Sequence, residues 1–129
     1  MPDELTRRLR AVAEGDADVR ALYVFGSRVD GTERPESDLD VGVLYVSPQP
    51  LGKTVRLEEA LYQATGEPVD VIDAARASAL LALAVVRGDR VFTRDEVETD
   101  LFDLYVLRRA GDLLPFERAR CAMLLGPRS

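Results

Sequence analysis

Three aspartates and a glycine-serine turn hold the chemistry open to this chain. Asp38 and Asp40 stand two residues apart at the head of an apolar run, Asp70 stands between two valines, and Gly26-Ser27-Arg28 follows a third apolar run. Side chains alternate faces along a strand, so Asp38 and Asp40 would point one way while Leu39, Val41 and Val43 point to a core. Carboxylates held side by side repel one another unless a cation lies between them. All-oxygen ligation selects Mg²⁺ or Mn²⁺ over zinc. Gly26 lets the backbone turn sharply and approach a ligand. Ser27, opening a helical turn, would offer its amide and hydroxyl to an anion, and Arg28 adds a cation suited to phosphate. Either element alone has an ordinary reading, as the wet face of an edge strand or as a plain turn. Together they point to phosphate chemistry on a nucleoside triphosphate.

Asp70 extends the pattern. Flanked by Val69 and Val71, it faces away from them. If its strand pairs beside the Asp38-Asp40 strand with matching parity, three carboxylates share one patch, the kind that holds two metals about 3.5–4 Å apart. Asp73, of opposite parity at the end of the same run, reads as a solvated or capping residue.

The elements that must position these groups alternate along the chain. Asp3 caps a first helix with Leu5, Leu9, Val12 and Ala13 on one face and Gly15 as its stop. Strands are expected at 19–25, 38–46, 68–73 and 90–93, where β-branched and aromatic residues cluster between turn residues. Residues 27–31 could form a helical turn, and 32–37 read as an exposed loop. Helices are expected at 51–65, with Leu57, Ala60, Leu61 and Ala64 inward, at 74–87, and at 95–109, with Leu101, Leu104, Tyr105 and Arg108 at helical spacing. Gly111 and Pro115 should break the last of these before a short helix at 116–125. This is an α/β (α+β) domain with a small mixed sheet flanked by helices.

The 129 residues suit one domain over 1–129, with a motif core at 19–93 and C-terminal helices at 95–125. Having no histidine excludes Ser-His and Cys-His catalysis and histidine-bound zinc, and Lys53, the only lysine, makes Schiff-base chemistry a poor fit. Cys121 stands alone, so neither an internal disulfide nor a cysteine zinc site is expected. A net charge of −6 argues against direct nucleic-acid binding along a phosphate backbone. Residues 1–15 lack a signal-peptide core and no apolar run is long enough to span a bilayer, so a cytoplasmic, membrane-free protein is expected.

Gly26-Ser27, ten intervening residues, Asp38-Leu39-Asp40, and the later Val69-Asp70-Val71 resemble the polymerase-β-type nucleotidyltransferase superfamily. In length the chain is similar to its minimal nucleotidyltransferases, the MNT antitoxins encoded beside HEPN-domain toxins. The resemblance follows the element order over about residues 5–110, with its diagnostic residues between 26 and 71. Arg28 and Gly31 also fit the minimal group, whereas 111–129 matches nothing recognisable. The resemblance implies the nucleotidyltransferase fold, with Gly26, Ser27 and Arg28 holding the triphosphate. It implies catalytic, metal-binding roles for Asp38, Asp40 and Asp70 with Mg²⁺ or Mn²⁺, Asp70 also helping to activate the acceptor hydroxyl. ATP is the implied substrate.

The catalytic core uses up the chain, so the acceptor is expected on another protein. The resemblance implies a tyrosine of a partner HEPN ribonuclease toxin, silenced by AMPylation in a hetero-oligomer. Phe102, Tyr105, Phe116, Met123 and Leu124 are candidates for the contact surface. Two alternatives stand beside this metal-dependent protein adenylyltransferase: an antitoxin that neutralises its partner by binding alone, and a small-molecule nucleotidyltransferase of the antibiotic-modifying kind.

Overall fold

The computed structural model describes residues 3–26 and 38–125, with side chains through Asp112. Eight elements follow in the order α1 (Glu4–Glu14), β1 (Val19–Phe25), β2 (Leu39–Tyr45), α2 (Leu51–Thr65), β3 (Val69–Asp73), α3 (Ala79–Val86), β4 (Asp89–Thr93) and α4 (Glu96–Leu125). The strands form one mixed sheet in the order β3-β2-β1-β4, with β2 and β3 parallel and the other pairs antiparallel.

Local signals set the helix ends. The Asp3 carboxylate accepts the Thr6 N–H at 2.9 Å to open α1, satisfying an amide the helix leaves unpaired. Ser78 caps α3 likewise, accepting from Leu81 at 3.2 Å. Gly66 ends α2 in the left-handed region at φ 76°, where a Cβ would be strained. The start of β1 is held against the end of α1 by Arg94, whose guanidinium donates to the carbonyls of Val19, Ala13 and Asp16 at 3.0, 2.9 and 3.2 Å. A cation there also suits the negative end of the helix dipole.

Two apolar layers sandwich the sheet. On one face Leu39, Val41, Val43, Leu22, Val24 and Val71 meet Leu9 and Ala13 of α1 and Leu57 and Leu61 of α2. On the other, Ala21, Tyr23, Phe25 and Leu44 pack with Val85 of α3, and Phe102 of α4 closes the edge. The alternation in β2 therefore divides the strand as expected, with valines toward α1 and α2 and Asp40, Gly42 and Leu44 toward α3.

Three expectations need correction. The helix expected at 74–87 is only α3, because residues 74–77 make a turn and Ser78 supplies the cap. In α2, Leu57 and Leu61 are buried and Ala64 is half-buried, but Ala60 is exposed, because the larger leucines define the contact with the sheet. The break at Gly111 and Pro115 does not occur: α4 runs unbroken from Glu96 to Leu125. A glycine costs a helix only about 1 kcal/mol and a proline about 3 kcal/mol, which a run rich in leucine, alanine and arginine can absorb. The residues at helical spacing, Leu101, Leu104, Tyr105 and Arg108, form the outer face of α4, since Thr99, Val106 and Ala110 are the buried positions. The turn expected at 27–31 and the loop at 32–37 lie outside the described residues.

Candidate active site

Phe25, Asp40 and Asp70 form one row across three strands, for Phe25 opposes Asp40 in the β1–β2 register and Asp40 opposes Asp70 in the β2–β3 register. All three lie on the α3 face, at the end where β1 finishes and β2 and β3 begin. Asp38 directly precedes β2 and is exposed, as is Asp70, while Asp40 is half-buried. Strand alternation, which puts Leu39, Val41, Val69 and Val71 in the core, thus delivers the carboxylates to the opposite face.

Gly26 closes the row. Its φ of 86° is open to glycine and costly to other residues, and a Cβ there would strike the Asp40 carboxylate at Oδ2. Gly26 itself fits over that carboxylate because nothing projects from it. Ser27 and Arg28 lie outside the described residues, so the expected phosphate half is represented by Gly26 alone.

Among the described residues the patch carries negative charge alone. Partial burial, with Asp70 and then Asp38 nearby, pushes the Asp40 carboxyl above its ordinary range. Among the described residues no ion pair reaches Asp38, Asp40 or Asp70. Repulsion relieved by a cation is what an all-oxygen donor set offers to Mg²⁺ or Mn²⁺, so the residues fit such an ion chemically. Among the described residues, however, no three acidic, histidine or cysteine side chains are already gathered closely enough to hold one. The row brings Asp40 and Asp70 into register and leaves Asp38 at its margin.

Asp73 stands at the other end of β3, where its carboxylate accepts the Ala75 N–H at 3.2 Å and lies 3.8 Å from Arg76. It caps the turn after β3, as its parity foretold.

Three supporting residues escaped the sequence reading. Glu58 of α2 accepts the Val71 N–H at 2.8 Å, pinning the edge strand one residue from Asp70 and occupying a donor left free at a sheet edge. Gly42 has Val85 of α3 pressed against it, so that any Cβ would clash. Gly88 sits equally close to the Val24 carbonyl and Phe25. The two glycines lay α3 and its exit directly on the sheet beside Asp40. A glycine inside an apolar strand run marks close approach of another element, so Gly42 carried a usable signal. The Glu58 contact carried none.

Residues 7–97 match the model of the polymerase beta nucleotidyltransferase family. No curated protein matches the chain. Among solved structures, a toxin–antitoxin complex with AMP-PNP aligns over 94% of this chain and 98% of its own at 21% identity, with a TM-score of 0.79. The MntA-HepT toxin–antitoxin aligns over 95% and 97% at 18% identity and a TM-score of 0.75. A tri-AMPylated Shewanella oneidensis HEPN toxin in complex with MNT antitoxin aligns over the same shares at 18% identity and a TM-score of 0.74. At these identities the likeness is one of fold.

Proposed function

Since the chain belongs to the polymerase beta nucleotidyltransferase family, we propose that it is a minimal nucleotidyltransferase antitoxin that moves AMP from ATP to a hydroxyl of a HEPN-type partner toxin. The observation that carries this reading is the row Phe25–Asp40–Asp70, capped by a Gly26 that leaves no room for a side chain over Asp40. The AMP-PNP and the AMPylated toxin of its fold relatives support ATP as donor and a protein as acceptor.

In the proposed reaction the acceptor oxygen bonds to the α-phosphorus, the bond to the bridging oxygen breaks, pyrophosphate leaves and the hydroxyl proton is released. Asp38, Asp40 and Asp70 are the residues that would hold Mg²⁺ or Mn²⁺. When bound, the metal supplies positive charge to the phosphates and lowers the pKa of a hydroxyl beside it. Gly26 keeps the backbone low enough for the triphosphate to lie against it, and Ser27 and Arg28 would donate to its oxygens. Asp70, in the edge strand that Glu58 holds one residue away, would orient the acceptor hydroxyl. The acceptor is a tyrosine in this reading. No histidine is available as base, so the proton leaves through carboxylate or water.

The test is incubation with the HEPN-type partner, Mg²⁺ and α-labelled ATP. Label and a mass gain of AMP should appear on the partner and vanish with Asp38→Asn/Asp40→Asn. A partner fully neutralised by that variant, with no label in either case, would contradict transfer and leave neutralisation by binding alone.

A further inference from the structure

Asp70 stands on an edge strand. β3 has five residues and pairs on one side only, with β2. Backbone groups alternate sides along a strand, and at an edge one set has no strand to meet. At the two ends of β3 the Leu39 N–H donates to the Pro68 carbonyl at 3.1 Å and the Ala74 N–H donates to the Val43 carbonyl at 2.9 Å. Even-numbered residues here therefore turn their backbone groups to β2, and the amides of Val69, Val71 and Asp73 face the open edge. The same strand carries an electrostatic load. Asp70 stands opposite Asp40, and its charge helps to push the Asp40 carboxyl up. That repulsion is relieved most easily if the edge strand draws away from β2.

Glu58 acts at this point. Its neighbours on α2, Leu57 and Leu61, share a buried cluster with Val71, which anchors the helix beside β3. The Glu58 carboxylate accepts the middle outward amide, that of Val71, at 2.8 Å. Val71 is thus held twice, by its side chain in the core and by its amide at the edge. The entry to β3 is tied to the same helix, for the Thr65 hydroxyl donates to the Leu61 carbonyl at 2.8 Å and accepts the Glu67 N–H at 3.2 Å. An amide bonds a carboxylate about twice as strongly as a neutral acceptor. Water could have satisfied an edge amide, yet the chain sets a further carboxylate one residue from a set that already repels itself.

We propose that Glu58 is a positioning residue: by holding Val71 it keeps Asp70 beside Asp40, and so supports the divalent ion and the acceptor hydroxyl. The proposal rests on the function stated above. Phe25, next to Gly26, pairs with Asp40 without β3, so capture of ATP should not depend on Glu58.

The test compares the full chain as wild type with Glu58→Ala, Glu58→Gln and Glu58→Asp, and with Glu59→Ala on the exposed side of α2 as a charge control. Exchange of the Val71 amide is followed by NMR, Mn²⁺ affinity by electron paramagnetic resonance, and label transfer to the HEPN-type partner at saturating Mg²⁺. Glu58→Ala should exchange about tenfold faster at Val71, bind Mn²⁺ about tenfold more weakly and lose about tenfold in kcat, with KM for ATP unchanged. Glu58→Asp, which keeps the charge but falls a methylene short, should follow it, and carries the test if Glu58→Ala folds poorly. Glu58→Gln can still accept the bond and should return each value to within about threefold of the wild type. Glu59→Ala should match the wild type. Faster exchange in Glu58→Ala with wild-type Mn²⁺ affinity and kcat would overturn the positioning role and leave a strand clamp alone. Equal losses in Glu58→Gln and Glu58→Ala would overturn it too. A wild type that never labels the partner, with Mn²⁺ binding weakened in Glu58→Ala and restored in Glu58→Gln, would sustain the positioning role and defeat the transferase reading. Labelling by Glu58→Ala at the wild-type kcat would do the reverse.

Discussion

Two sets of aspartates on this small domain are built on opposite terms. Asp103 and Asp100 share Arg90, at 2.6 and 2.9 Å, and Asp103 also takes the Tyr23 hydroxyl. Burial and that neighbouring carboxylate push the Tyr23 phenol far above its ordinary pKa, so it stays a donor. Asp16 and Asp18 similarly share Lys53, at 2.7 and 3.2 Å. Asp38, Asp40 and Asp70 have no such cation among the described residues, and Asp40 is driven toward protonation by burial and by the other two. Where aspartates hold the fold together, the chain supplies the counter-charge. Where the described residues offer none, burial and like charge set up an electrostatic cost that a bound divalent ion would relieve.

Breaking the uncompensated set should produce the largest effect. Asp40→Asn is expected to lower AMP transfer to the partner about a thousandfold, measured by label incorporation, the scale on which lost charge stabilisation acts. It should not harm the fold. A carboxyl with a raised folded-state pKa binds its proton more tightly when folded, so stability falls as pH climbs from the unfolded-state value through the folded one. Melting temperatures followed from pH 3 to 7 should therefore decline less with rising pH in Asp40→Asn than in the wild type. An identical decline would mean the repulsion is absent.

Gly26→Ala comes next. It forces a Cβ into the left-handed region and onto Asp40, which should cost about 1–2 kcal/mol by denaturant titration and reduce transfer by about a hundredfold. A variant of wild-type activity would mean the turn over Asp40 has no role. In the compensated set, Asp103→Asn keeps one acceptor for Tyr23 but loses charge on Arg90, so about 2 kcal/mol of stability should go, with the transfer rate at saturating partner unchanged. Lys53→Met should be the mildest, at about 1 kcal/mol, because the half-buried Asp16 and exposed Asp18 that it leaves unpaired can still reach water.

The same contrast explains what the sequence could disclose. β1 and α2 fall where residue patterning places them, and parity together with position at the strand end separates Asp70 from Asp73, because strand alternation is a local rule. The three candidate aspartates are legible for the same reason, Asp38 heading an apolar run and Asp40 and Asp70 interrupting one. The supports were not. Glu58 reaches Val71 from another element, and the Tyr23–Asp103–Arg90 cluster joins residues 80 and 13 positions apart. Continuity of α4 through Gly111 and Pro115 also defeated local reasoning, since a breaker's penalty is weighed against the whole helix.

The central claim, that Asp38, Asp40 and Asp70 are left uncompensated to receive a divalent ion, is tested most directly by titrating the protein with Mn²⁺ and following the free ion by electron paramagnetic resonance. Mn²⁺ should bind the wild type, be displaced by Mg²⁺, and fail to bind Asp40→Asn/Asp70→Asn, while Asp100→Asn leaves the titration unchanged. Equal Mn²⁺ binding by the wild type and Asp40→Asn/Asp70→Asn would contradict the account.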